Sequence, residues 1–343
     1  MFETRRILQA ERLARRLQKQ IRDLRGTGYV YDRVDEYRAL WRAVATAVHA
    51  EFLELGPDIW ELRRGQQRLR LVGELLPIDH PVVLELAVRK PLVHRLLQAE
   101  GLPVPAHLAF DLNQLDAARS FLAKHALGCV IKPADGYGGQ GVTLHVTEPA
   151  QVRPAAVLAS IHGQQLMIEE MIPGECFRLL VFDGRLVHTR RRTGLRLRAD
   201  GHTRVETLLE QAGIPKDANC DFTLRAQKLD LSSVPAPGSV LARGIPSAER
   251  VGPSLRTVYD YTVNHVHPSL VKQVEQAAQV VGSRLLGVDV ITTDIELPLA
   301  ETRGAINEVN TTPGMHHHYD RGRELYPMPV IQIIERLLVE SRT

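Results

Sequence analysis

Val130-Ile-Lys-Pro-Ala-Asp-Gly-Tyr-Gly-Gly-Gln-Gly-Val-Thr-Leu-His-Val146 is the stretch whose reading decides the fold. Its glycines match G-x-G-x-x-G, the spacing of a dinucleotide-binding loop. Such a loop must open a helix, so that a pyrophosphate meets the helix N-terminus. Here Val142 to Val146 alternates apolar and polar residues like a strand, and helix signals begin only after Thr147. No Lys-Ser/Thr pair follows the last glycine, which removes the Walker loop as well. The stretch reads as strand, glycine loop, strand. That pattern fits a flap whose backbone amides close over phosphates, with Lys132 on the entering strand as a cation. It fits an ordinary flexible hairpin equally well.

Around this stretch the periodicity alternates. His107 to Phe110, Cys129 to Lys132, Val142 to Val146 and Gln165 to Glu169 read as strands, and Leu112 to His125 and Pro149 to Ile161 as helices, which gives a compact α/β lobe. Upstream, a helix from Pro81 ends at Gly101-Leu-Pro-Val-Pro105. Downstream come strands Cys176 to Val181 and Arg185 to Arg190, then a Pro/Gly-rich passage from Gly213 to His267. Helix Leu270 to Leu285, strands Val288 to Thr292 and Ala305 to Val309, and helix Val330 to Glu340 close the chain.

The first eighty residues read as a small α+β unit. Leu13, Leu17, Ile21 and Leu24 stand at helical spacing from Thr4 to Leu24, a second helix runs from Val34 to Ala50, and three short strands follow before Leu75. No aromatic residues interleave the basic residues of the first helix, so it reads as a dimer or core contact with a solvated basic face rather than a nucleic-acid or membrane surface.

Lys+Arg 43 against Asp+Glu 40 gives a net charge of +3, too balanced to argue for nucleic acid. Cys129, Cys176 and Cys220 are scattered, with no CxxC and no Cys/His cluster, and read as reduced thiols of a cytoplasmic protein. No apolar run approaches a membrane span, and the N-terminus lacks a signal-peptide block.

Gly287-Val-Asp-Val290 and Ile306-Asn-Glu-Val-Asn310 set hydrophilic residues among β-branched ones. On paired strands this brings Asp289, Glu308 and Asn310 to one face, since Glu308 and Asn310 share parity. Three oxygen donors suit Mg²⁺, which takes its other ligands from water and phosphate. A solvated strand face is the plainer alternative, weakened by the apolar neighbours, among which an unpaired carboxylate would be costly. His316-His317-His318 reads as a substrate-facing loop rather than a zinc tract, because consecutive histidines cannot all face one ion.

Together these residues resemble the ATP-grasp enzymes, and specifically the ATP-grasp part of cyanophycin synthetases and related amino-acid ligases. The resemblance runs from about Glu51 to the C-terminus. It rests on Lys90 with Leu96-Leu-Gln-Ala-Glu-Gly-Leu-Pro-Val-Pro105, on Val130 to Val142, and on Glu169-Glu-Met-Ile-Pro-Gly-Glu175 with Arg178. It continues through His267-Pro268, Gly287-Val-Asp289, Thr293-Asp-Ile295 and Glu308-Val-Asn-Thr-Thr-Pro-Gly314. It implies an α+β ATP-grasp fold, two α/β lobes with ATP between them, preceded by a small helical/α+β region. The expected parts are an N-terminal region 1–88, a flap-bearing lobe 89–168 and a metal-binding lobe 169–343.

The resemblance also implies roles. Lys90 and Lys132 would bind the phosphates, with Gly136, Gly138, Gly139 and Gly141 closing over them. Glu169, Glu170 and Ile172 would meet the adenine edge and Glu175 the ribose. Asp289, Glu308 and Asn310 would hold two Mg²⁺ ions, with Mn²⁺ able to substitute. Arg178 and Arg192, with Asn310, would stabilise the transferring phosphoryl group, guanidinium matching planar anions; for Arg190 to Arg192 a solvated strand edge is the other reading.

Cyanophycin synthetases continue into a second, Mur-ligase-like half, so the expectation here is not a full polymerase of that kind. The loop Ala242 to Gly252 departs from the family, as does Arg89 before Lys90. The implied activity is ATP-dependent carboxylate–amine ligation through an acyl-phosphate on amino-acid or peptide substrates, by a cytoplasmic protein, monomeric or homo-oligomeric, with no nucleic-acid or membrane partner. A non-ligating nucleotide-binding regulatory module and an ATP-grasp kinase are the alternatives.

Overall fold

The computed structural model describes residues 8–14, 28–136, 139–192, 195–211, 224, 229–243, 261–318 and 328–341. No helix among them is long and apolar enough to cross a membrane.

The first described helix, α1, covers residues 8–14. It docks through Leu8, which is buried, while Leu13, the described residue of the expected apolar face, is 61% exposed. Arg12 Nε donates to the Ser160 carbonyl at 2.9 Å and Arg153 pairs with Glu11 at 2.7 Å. Of the two readings of this helix, the described part makes a core contact. Its expected continuation to Leu24 lies outside the described residues.

Helix α2 (Gly28–Ala47) begins a turn and a half before the expected Val34. Tyr37, Leu40, Trp41, Val44 and Val48 recur at helical spacing and bury one face. They pack on an antiparallel sheet β1–β2–β3 (Glu51–Glu54, Ile59–Arg64, Gln67–Val72) whose alternation buries Leu69 and Leu71. Trp41 Nε1 donates to the Gly73 carbonyl at 2.9 Å. The same core takes in Val330, Ile333, Ile334 and Leu337 of the closing helix Met328–Glu340.

The single helix expected from Pro81 to Gly101 is two, α3 (Pro81–Val88) and α4 (Lys90–Ala99). Arg89, at φ −87 and ψ 76, breaks them. Pro91 is the cause: it has no N–H to bond the Ala87 carbonyl, so the ladder of α3 cannot run on through it.

The flap lobe is an antiparallel sheet in the order β4–β7–β5–β6 (His107–Phe110, Leu166–Glu170, Cys129–Pro133, Thr143–Val146). Helices α5 (Leu115–Leu122) and α6 (Pro149–Ala159) cover one face over Cys129, Ile131, Val146, Leu166 and Ile168. Period-2 alternation turns Val130, Lys132 and Glu169 to the other face. The glycine stretch joins β5 to β6 as an antiparallel hairpin, which excludes the dinucleotide-loop reading. Tyr137 and Gly138 lie outside the described residues.

The second lobe is built on a five-stranded sheet, β12–β9–β8–β13–β14 (Tyr261–Thr262, Arg185–Arg192, Glu175–Phe182, Leu285–Thr292, Ala305–Thr311). Leu179, Val181, Val288 and Val290 face helix α8 (Pro268–Val281) together with Val93 and Leu97 of α4. Helix α8 stops at Gly282, left-handed at φ 76, so Leu285, expected in the helix, starts β13 instead. Much of the Gly213 to His267 passage lies outside the described residues. Its described parts include β11 (Val240–Arg243), paired with β10 (Leu195–Arg198), and β12; between β10 and β11 lies the short helix α7 (Val205–Gln211).

Candidate functional site

Strand register lays out a charged face. Asp289 sits opposite Glu308 on one side and Arg178 on the other, and Arg178 opposite Arg190; Gly287 sits opposite Asn310. One face of the sheet therefore carries Glu308, Asp289, Arg178 and Arg190 in a row, while the alternate residues form the core. A Cβ at Gly287 would come within 3.0 Å of the Arg178 side chain and 2.9 Å of Pro313, so glycine there leaves Arg178 room to lie across the sheet.

This face and the inner face of the flap lobe enclose a cleft of about 730 Å³. Lys90, Lys132, Gly136, Gly139, Glu169, Glu170, Ile172, Arg178, Glu308 and Asn310 all line it, so most residues singled out from the sequence converge on one space. Gly141 stands behind the flap, where an added Cβ would meet His162 at 2.8 Å. Glu175 pairs with Arg191 and Asp289 lies wholly buried beneath the arginines; neither lines the cleft, nor does Arg192.

Three carboxylates in and beneath the cleft are matched to cations. Lys132 meets Glu169 at 2.6 Å and Lys90 meets Glu308 at 3.2 Å. Arg178 grips Asp289 through both oxygens, at 2.5 and 2.9 Å, with Arg192 at 3.7 Å and the Asn310 amide at 3.4 Å. Lys90 also donates to the Gly136 carbonyl, tying the base of the flap to β14. The two glutamates titrate in opposite directions. Burial lifts Glu169 above the ordinary carboxylate range despite Lys132. Burial pushes Glu308 the same way, but Lys90, Lys132 and Arg178 together outweigh it and hold it below that range.

Among the described residues no three His, Cys, Asp or Glu side chains gather to hold a metal. Glu308 and Asn310 on the cleft wall are oxygen donors that fit a hard divalent cation drawing its other ligands from phosphate and water, with Asp289 bound to Arg178 beneath them. The histidine run is used differently. His318, in the 3₁₀ turn Met315–His318, is buried with its Nδ1 2.8 Å from His188 Nδ1, fixing the loop after β14 onto β9.

Other residues in or beside the cleft escaped the sequence reading. His94 lies one turn beyond Lys90 on α4, its Nε2 3.1 Å from the Asn307 carbonyl and its ring edge-on to His107 at 4.9 Å. Its i+4 spacing from Lys90 was the available signal. Glu74 and Leu75 reach the cleft from the N-terminal unit, and nothing local in the sequence announces it.

No family model matches the chain. Over 254 residues, 68% of the chain, it is 30% identical to cyanophycin synthetase of Nostoc sp.. It is 23% identical over 308 residues to the glutathione biosynthesis bifunctional protein of Streptococcus mutans, spanning 41% of that protein. A D-alanine–D-alanine ligase of Gloeobacter violaceus matches at 35% over 100 residues. The chain spans about a quarter (27%) of the Nostoc protein's length. Among solved structures, a bifunctional glutathione synthetase from Pasteurella multocida superposes with a TM-score of 0.51 at 18% identity, covering 87% of this chain and 43% of the other, which shows a shared fold.

Proposed function

Because the chain has the ATP-grasp fold and resembles cyanophycin synthetase, we propose that it is an ATP-dependent carboxylate–amine ligase acting on amino-acid or peptide substrates. The observation that carries this reading is one cleft where two lysines, a glycine flap and an oxygen-donor strand pair meet. Lys90 and Lys132 receive the phosphates beneath the flap, and Glu169, Glu170 and Ile172 face the base. Glu308 and Asn310, with Asp289 beneath them, would hold two Mg²⁺ ions, which would supply neutralisation of the phosphate charge. Arg178, on the cleft wall, steadies the negative charge on the transferring group, with Arg192 adding positive charge from behind Asp289.

In the first step a carboxylate oxygen of the substrate attacks the γ-phosphorus and the bond to ADP breaks. In the second the amine attacks the acyl carbon, phosphate leaves and the amine gives up a proton. Positioning and charge neutralisation suffice, so no nucleophilic side chain is needed.

The test is to mix the protein with ATP, Mg²⁺ and paired amino-acid and dipeptide panels. Equal amounts of ADP, phosphate and amide are expected, and Glu308→Gln should retain nucleotide binding while turnover is lost. ADP with a phosphorylated product and no amide would make it a kinase. Nucleotide binding with no turnover on any pair would make it a regulatory module.

A further inference from the structure

Within the cleft, the ammonium proposed for the nucleotide and the carboxylate proposed for the metal hold each other. Lys90 Nζ lies 3.2 Å from Glu308 Oε1 and also bonds the Gly136 carbonyl. Deeper in, Asp289 is wholly buried and chelated by Arg178. Glu308, the more accessible carboxylate of the metal set, is thus already spoken for by a monovalent cation of the same chain.

A divalent ion arriving alone at Glu308 must displace Lys90, and the displaced ammonium, nine-tenths buried, then faces the ion across the same small space. Both changes oppose binding, because a buried charge deprived of its partner is costly and like charges repel. A triphosphate changes the balance. It gives Lys90 a new anionic partner and so releases Glu308 to the metal, whose charge the phosphates also offset. Resting on the ligase reading, we propose that Lys90 is a switch: it guards Glu308 until a nucleotide draws it away, so metal and nucleotide bind with strong mutual coupling.

Two consequences have opposite signs, which makes the idea sharp. Loss of the ammonium in Lys90→Gln should weaken nucleotide binding yet strengthen binding of a divalent ion alone. Because linkage is reciprocal, the coupling between the two ligands should shrink together with that change.

The experiment titrates Mn²⁺ by electron paramagnetic resonance, with and without adenylyl imidodiphosphate, and titrates that nucleotide by calorimetry with and without Mn²⁺. In the wild type the nucleotide should tighten Mn²⁺ by a factor in the usual allosteric range, roughly 5–150-fold. Lys90→Gln should bind Mn²⁺ alone about tenfold more tightly than wild type. The double variant Lys90→Gln, Glu308→Gln should lose that gain, which places the ion at Glu308. Circular dichroism and thermal melts show that each variant is folded, and should Lys90→Gln fail to fold, Lys90→Met or Lys90→Ala takes its place. Nucleotide binding to wild type, with Mn²⁺ alone binding equally to wild type and the Lys90 variant, overturns the switch and leaves the ligase reading standing. If no protein binds the nucleotide with or without Mn²⁺, the ligase reading falls and the switch with it.

Discussion

His94 is held neutral far below the usual imidazole range. Burial pushes its pKa down to about 3, with Lys132 and His107 adding to the effect, and burial beside Arg190 takes His188 to about 4. Below the ordinary value of 6.5 the unfolded chain binds a proton at each of these rings and the native protein does not, until its own lower value is reached. Stability from this source is therefore complete above pH 6.5 and is lost as the pH falls towards 4 and 3. Urea titrations between pH 7 and 4 should show this decline, and His94→Gln, which keeps a donor for the Asn307 carbonyl, should reduce its slope by about one proton. An unchanged slope would mean that His94 is protonated in the native state. At this scale parity was legible in the sequence, and it turns Lys132, Glu308 and Asn310 towards the cleft. Asp289 was assigned its face correctly by parity, but its depth was not legible, because Arg178 reaches it from a strand more than a hundred residues earlier in the chain.

Among the elements, the turn from β7 into β8 is the most tightly specified. Gly174 has φ +120, and a Cβ there would lie 2.2 Å from the Thr292 backbone at the end of β13. Gly184, between β8 and β9, has φ +74 with nothing within 4 Å. Gly174→Ala should cost about 3 kcal/mol or more, combining strain and a backbone clash, and Gly184→Ala only about 1 kcal/mol of left-handed strain. Chemical denaturation separates them, and equal losses would refute the crossing geometry. Strands such as β3 were legible from alternation because their apolar residues fall on one face and their polar ones on the other. Helix ends were less so: Pro91 and Gly282 were visible as breakers in the sequence, yet the apolar spacing ran through both. The strand–loop–strand reading of Val130 to Val146 held because a period-2 pattern cannot bury one face of a helix.

At the scale of the whole molecule, the N-terminal unit does not own its core. Trp41 and Trp60, the chain's two tryptophans, share it with Ile333, Ile334 and Leu337 of the last helix and with Leu180 and Leu285 of the central sheet. Ile334→Ala should therefore cost about 2–5 kcal/mol, and the loss should appear as an earlier transition in tryptophan fluorescence, although residue 334 is nearly three hundred positions away from Trp41. A fluorescence midpoint that does not move would show the two segments to be independent. Nothing in the local pattern of either segment predicts this meeting, since periodicity reports which face is apolar and not what covers it.

That shared core bears on how the protein is made. The sheet β1–β3 leaves the ribosome some 250 residues ahead of the helix that covers it, a wait of about 13–50 s at roughly 5–20 residues per second. Throughout that interval its apolar side is bare or shielded only by α2. A holding chaperone should raise the yield of folded protein more than any change made within the two lobes that enclose the cleft.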